Sequence, residues 1–148
     1  METQKRQAQV LIVDDDQIFC RMLEDLLQRM GHASRICHRV DACRRELEQN
    51  RWDLVLLDVG LPDGSGLTLL PWIRQLAKAP EVIIITGDGD ADGAELAVNN
   101  GAWDYLMKTA AFERINLIVA RALEHHRTTL QLRALKTLDS CGIIGTSP

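Results

Sequence analysis

Three short runs constrain the chain most: VLIV at 10–13, DLVLLD at 53–58 and VIIIT at 82–86. Each is too short for a helix and shows no alternation of apolar with polar residues. A strand that is apolar on both faces must be covered on both faces, as in a parallel sheet flanked by helices. DYLM at 104–107 and the weaker ASRIC at 33–37 bring the set of strands to five, with amphipathic stretches between them. Ile18, Met22, Leu26 and Met30 recur every four residues and predict a helix that Gly31 stops. A polar helix is expected over 41–50 with Ala42, Cys43 and Leu47 inward. Ser65 is placed to cap a helix through Leu67, Leu70, Ile73 and Leu76. A short helix follows over 91–100, and a long one runs from Phe112 to Thr137. Five βα units with short, right-handed connections imply an α/β, doubly wound parallel sheet of order 2-1-3-4-5, with an extended C-terminal helix. Ligands of such a sheet bind at the carboxyl ends of the strands.

At 148 residues and 46% hydrophobic, the chain can bury one core of its own. Its formal net charge of −4 argues against direct nucleic-acid binding by this segment, because phosphate contacts need clustered Lys and Arg. No apolar run reaches the ~18 residues of a membrane helix, and METQKRQAQ lacks a signal peptide's apolar stretch. The protein therefore reads as cytoplasmic, without membrane contact. Cys20, Cys37, Cys43 and Cys141 include no CxxC pair and no zinc-finger spacing, which predicts reduced thiols used in packing. His32, His38, His125 and His126 are expected at the surface.

The doubly wound order collects distant strand ends on one edge. Asp14 and Asp15 follow the first strand, Asp58 ends the third, Thr86 ends the fourth and Lys108 follows the fifth. Three carboxylates, a hydroxyl and an ammonium would share a crevice there, with Asp16 beside them as a helix cap. Neither GxGxxG nor GxxxxGK[ST] follows the first strand, so a nucleotide is not the expected occupant. Mg²⁺ suits the hard oxygen donors of Asp14, Asp15 and Asp58. Asp58 is the better candidate nucleophile, because Gly60 and Gly64 in the loop GLPDGSG keep side-chain bulk away. Carboxylates can form acyl phosphates, with Lys108 neutralising the transferring oxygens and Thr86 hydrogen-bonding the phosphoryl group on arrival. Singly, each residue has a plainer use as a cap, a strand residue or a solvated lysine. The signal is their joint occurrence at carboxyl ends.

VLIVDDD, LVLLDVGLPDGSG, VIIITGDGD and GAWDYLMKT resemble, in order and spacing, the receiver domain of bacterial two-component response regulators. The resemblance covers roughly residues 8 to 126. It implies a flavodoxin-like fold and phosphotransfer from a sensor histidine kinase to one aspartate, the chain being a regulatory domain that catalyses only its own phosphorylation and dephosphorylation. Asp58 corresponds to the phosphoacceptor, and Asp14 and Asp15 to the acidic pair around Mg²⁺, with the Gly60 backbone carbonyl as a further ligand. Thr86 and Lys108 correspond to the switch hydroxyl and the site lysine, and Tyr105 to the aromatic that turns inward on activation. Two positions depart from the family. Thr109 follows Lys108 where proline, often cis, is usual; a cis bond before Thr costs about 3 kcal/mol more, so a trans turn of different shape is expected. Gly87 follows Thr86 where alanine is frequent, which predicts a more open site and a shorter phosphoryl lifetime.

The long final helix carries Ile115, Val119, Leu123, Leu130, Ala134 and Leu138 near one stripe, interrupted by His126 and Arg127, an imperfect dimerisation seam. After it, GIIGTSP resembles the opening of the AAA+ ATPase domain of sigma-54-dependent, NtrC-like transcriptional activators. The expected organisation is an N-terminal tail (1–8), a receiver domain (9–126), a helical linker (127–141) and the start of a truncated AAA+ ATPase domain (142–148). The expected partners are a histidine kinase or phosphotransfer protein, a second copy and the AAA+ and DNA-binding domains of the full-length chain. The second copy would dock through the linker helix or through the face made by the fourth helix, fifth strand and fifth helix. Three rival readings remain: a stand-alone receiver in a phosphorelay, a partner-binding pseudo-receiver, and an aspartate-nucleophile phosphohydrolase. The last wants a second Asp at position 60, where this chain has glycine.

Overall fold

The structure, a computed structural model, describes residues 7–87, 95 and 97–146. The apolar runs form strands β1 (Gln9–Val13), β2 (Ala33–Cys37), β3 (Leu54–Asp58), β4 (Glu81–Thr86) and β5 (Asp104–Met107). All four pairings are parallel, and the order is β2-β1-β3-β4-β5, as the alternation of elements implies. Successive strand residues point to opposite faces, so one sheet feeds two cores. Val10, Ile12, Leu54, Leu56, Ile83 and Ile85 pack with α1 (Gln17–Arg29) and the C-terminal helix (Ala111–Thr146). Leu11, Val13, Val55, Leu57, Val82 and Ile84 pack with α2 (Val40–Gln49) and α3 (Leu70–Arg74).

Local chemistry sets the helix ends. The Asp16 carboxylate accepts from the Ile18 and Phe19 amides, both at 3.1 Å, and so caps α1 as expected. At the other end the His32 amide donates to the Leu27 carbonyl and the Gly31 amide to that of Gln28, with Gly31 at φ +89°. That double bond pattern needs a left-handed residue, which glycine adopts without strain. The inner face of α1 is shifted by one residue from the expected stripe. Phe19, Cys20, Leu23 and Leu27 are buried, whereas Ile18 is 76% exposed and Met22, Leu26 and Met30 are only half-buried. Two apolar stripes lie side by side on this helix, and the one that includes the aromatic ring faces the sheet.

The segment after Ser65 is a 3₁₀ turn, Gly66–Leu69, capped by the Ser65 hydroxyl on the Leu67 amide at 3.2 Å; it then continues as the short helix α3. Pro71 falls in the first turn of α3, where its missing N–H costs nothing. The expected helix over 91–100 falls largely outside the described residues; 97–99 are helical. The C-terminal helix reaches Thr146, beyond the expected Thr137. Its buried stripe is Ile115, Ile118, Val119, Ala122, Leu123 and His126, and beyond it Leu132 and Leu135 are exposed. Cys20, Cys37 and Cys43 are buried free thiols, in line with their predicted use in packing. Among the described residues no helix is long and apolar enough to cross a membrane.

One of the four histidines, His126, corrects the surface expectation, whereas His38 and His125 are exposed as expected and His32 is half-buried. His126 is 3% exposed, with Nε2 3.3 Å from Asp53 Oδ1. His125 Nδ1 meets the buried Glu81 carboxylate, and the imidazole stacks on Trp103 at 4.4 Å. His38 Nδ1 donates to the Asp14 carbonyl at 2.8 Å, and His32 Nδ1 accepts from the Ala8 amide at 3.1 Å. Each imidazole sits where an edge of the sheet leaves a polar group to be satisfied.

Candidate functional site

Strand register brings the chemistry to one edge. Val13 pairs with Leu57, so Asp14 and Asp58 stand side by side one step further on. Asp58 pairs with Ile85 and Thr86 with Met107, which places Thr86 and then Lys108 on the same edge. Oxygens of Asp14, Asp15 and Asp58 all lie within 4.8 Å of one another. Asp14 and Asp58 are buried and Asp15 is exposed, so the cluster opens to solvent on the Asp15 side.

Lys108 bridges the two buried acids. Its Nζ lies 2.8 Å from Asp14 Oδ2, 3.2 Å from Asp14 Oδ1 and 3.8 Å from Asp58 Oδ2. Asp14 Oδ1 also accepts from the Asp16 amide at 2.9 Å. Asp14 Oδ2 is fully buried and has no hydrogen-bond donor aligned on it beyond that ion pair. Burial, and next the Asp14 charge, push the Asp58 carboxyl from 3.8 up to about 6, against the pull of Lys108 and of the Gly60 amide. Burial works against the charged Lys108 amine, but Asp14 and Asp58 outweigh it and hold its pKa above the ordinary value. Three acids against one amine leave negative charge in excess. A buried oxygen met by the Lys108 ammonium alone and an exposed third carboxylate fit a hard divalent cation, the donor set being all oxygen.

Thr86 is buried, and its hydroxyl donates to the Gly87 carbonyl at 2.9 Å. Tyr105 is 37% exposed on β5, opposite Ile84. The described residues contain no cis peptide bond, so Lys108 enters a short 3₁₀ turn, Lys108–Ala110, through a trans bond, as the missing proline implies. Gly60 donates its amide to Asp58. The expectation that Gly60 and Gly64 keep bulk from Asp58 is corrected, because a Cβ at Gly60 meets nothing within 4 Å. The crowded glycine is Gly66, where a Cβ would sit 2.2 Å from the Asp58 carbonyl. Gly64 and Ser65 instead pair with Leu61 and Gly60 in a small antiparallel turn. That loop is pinned from outside by Asp63, whose carboxylate accepts from the Val40 and Asp41 amides at 2.7 and 3.1 Å and so caps α2 from a distance. These amides hold the Asp63 carboxyl below its usual range.

Three residues around the acids escaped sequence reasoning. The Phe19 ring centroid lies 4.9 Å from Lys108 Nζ. The Cys20 thiol donates to the Asp14 carbonyl at 3.3 Å and is pushed up to about 12 by burial, then by Asp14 and Asp16. His38 holds the same carbonyl. The only signal for Phe19 and Cys20 was their position in the first turn after the acidic run.

The family model of the response regulator receiver domain matches residues 10–120. The chain belongs to that family. This receiver domain is 31% identical over 139 residues to the transcriptional regulatory protein ZraR of Salmonella typhimurium, covering 94% of the chain and 32% of that protein. It is 40% identical over 113 residues to the response regulator protein PilR of Pseudomonas aeruginosa, covering 76% of the chain and 25% of PilR. The receiver thus spans about a third or less of the curated relatives it matches. Among solved structures it superposes on NtrX from Brucella abortus with a TM-score of 0.80 at 28% identity, covering 88% of this chain and 30% of that one. On the beryllofluoride-activated NtrC4 receiver domain dimer the TM-score is 0.74 at 29% identity, with 80% and 98% coverage.

Proposed function

We propose that the chain is a phosphorylation switch in which Asp58 takes a phosphoryl group from a sensor histidine kinase. The observation that carries this reading is the Lys108 ammonium lying 2.8 Å from Asp14 and 3.8 Å from Asp58 beside a three-carboxylate cluster. The carboxylates of Asp14, Asp15 and Asp58, with the Gly60 carbonyl, would hold Mg²⁺. Bound there, the ion supplies positive charge at the transferring oxygens and offsets repulsion among the acids. A carboxylate oxygen of Asp58 attacks phosphorus, and the electron pair of the breaking P–N bond stays with the donor imidazole, which takes up one proton. Lys108 then shifts its hydrogen bonding from Asp14 to the phosphoryl oxygens.

The Thr86 hydroxyl, turned to its neighbour's carbonyl in this structure, rotates to the phosphoryl group. Tyr105 moves from its half-exposed position into the space vacated. This biases the face on which Val98, Tyr105, Met107, Phe112 and Leu117 are exposed. A homodimer forms through that face or through the C-terminal helix, and residues 142–148 lead into AAA+ and DNA-binding domains of a longer, cytoplasmic, sigma-54-dependent activator. The partial coverage of ZraR and PilR and the dimer named in the NtrC4 structure support this part of the reading.

Incubation with Mg²⁺ and acetyl phosphate, followed by intact mass and sedimentation, tests it. A phosphoryl adduct on the wild type, absent in Asp58→Asn and accompanied by a heavier species, is expected. An unmodified wild type refutes the reading.

A further inference from the structure

Lys108 is the end of a long, flexible arm. It leaves the edge of the sheet beyond β5, yet its ammonium rests on Asp14 at the end of β1, three places along the strand order. A four-carbon stem carries much rotamer freedom, and electrostatic attraction alone fixes a point charge poorly. The acids also pull unequally, at 2.8 Å toward Asp14 and 3.8 Å toward Asp58. What meets the ammonium from another side is an aromatic face: the Phe19 ring, centroid 4.9 Å from Nζ. Phe19 is itself firmly set. It is 6% exposed, packs in the core beneath α1, and its amide is held by the Asp16 cap at 3.1 Å.

We propose that Phe19 is a positioning residue for phosphoryl transfer at Asp58, acting through Lys108. This rests on the phosphoacceptor reading given above. The negative face of the ring attracts the ammonium without accepting a hydrogen bond from it. The lysine's N–H groups therefore stay free for carboxylate and phosphoryl oxygens, while its position is confined. An aliphatic side chain of similar volume would fill the core but leave the ammonium free to swing toward solvent. Asp16 gains a second part in this arrangement: by capping α1 it fixes the turn from which the ring projects.

The test compares wild type, Phe19→Leu and Phe19→Tyr, each with and without Lys108→Ala, using acetyl phosphate and Mg²⁺ as the probe. Phe19→Leu should lower the maximal phosphorylation rate about fivefold, with the half-saturating donor concentration unchanged, and Phe19→Tyr should stay within about twofold of wild type. In the Lys108→Ala background Phe19→Leu should change nothing further, since the residue it acts through is gone. The Lys108 ε-methylene protons, shifted upfield by the ring current in wild type and Phe19→Tyr, should return to ordinary values in Phe19→Leu. Thermal melts check folding, and Phe19→Met replaces the leucine variant if the latter melts early. Equal losses in both lysine backgrounds, a leucine variant as fast as wild type, or no ring-current shift in wild type would each overturn the proposal. An unmodified wild type that still shows the ring-current shift would instead refute the phosphoacceptor reading, and with it any role of the ring in transfer.

Discussion

Replacing Asp58 by asparagine removes a charge that the folded state holds at a cost. The carboxyl is pushed from 3.8 to about 6, first by burial and then by Asp14. A group whose folded value stands above its unfolded one contributes stability below the unfolded value and loses it as pH rises through the folded one. For Asp58 that contribution is complete below pH 3.8 and gone above about pH 6. At ~1.4 kcal/mol per pH unit, holding Asp58 ionised at pH 7.5 costs the metal-free protein about 3 kcal/mol. Lys108 does not alter this window, since its raised pKa lies above 10.5.

Asp58→Asn keeps the shape and an acceptor for the Gly60 amide, so urea denaturation without divalent ions should show it more stable than wild type by up to about 3 kcal/mol at pH 7.5. In thermal terms that is about 6 to 12 °C for a chain of this size. The gap should shrink to about half at pH 5. Adding Mg²⁺ at about ten times its dissociation constant should return ~1.4 kcal/mol to the wild type and almost nothing to the variant. Parallel pH profiles for the two proteins, or an equal response to Mg²⁺, would refute the account of strained charge at Asp58.

Other perturbations test separate parts of the structure. Gly66→Ala should destabilise by about 3 kcal/mol in urea titrations, because its methyl meets the Asp58 carbonyl at 2.2 Å, whereas Gly60→Ala, with open space, should be near neutral. Gly87→Ala meets nothing within 4 Å, so it tests openness without a clash; loss of the acetyl-phosphate-derived adduct, followed by mass, should slow. Thr86→Ala and Tyr105→Ala should leave the adduct and abolish the phosphorylation-linked change in sedimentation; oligomerisation that survives both would refute that route. A double-mutant cycle on His126→Ala and Asp53→Ala should give a coupling of about 1 kcal/mol, measured by denaturation, because the imidazole is buried against the carboxylate at 3.3 Å.

The sheet order and the acidic edge were legible in the sequence for the same reason. Runs such as VLIV and VIII are apolar on both faces, which leaves a parallel, doubly covered sheet as their stable home, and that topology alone carries Asp14, Asp58 and Lys108 to one edge. The face that α1 buries was not legible, because Ile18 and Phe19 are adjacent and both apolar; only the sheet decides which of two neighbouring stripes is inside. Gly66 escaped for a related reason, since a glycine that admits a carbonyl looks identical in sequence to one that merely turns the chain. The burial of His126 was not legible, nor were the partners of the other histidines, because a polar side chain's partner is set by tertiary neighbours. Asp53 and Glu81 lie at the starts of adjacent strands, and the Glu81 amide bonds the Asp53 carbonyl. His126 and His125, successive residues of one helix, therefore meet carboxylates presented by two different strands. The C-terminal helix is thus tied by paired polar contacts to the edge of the sheet opposite the acidic cluster. Any displacement of that helix from the sheet must either carry the His125–Glu81 and His126–Asp53 contacts with it or break them.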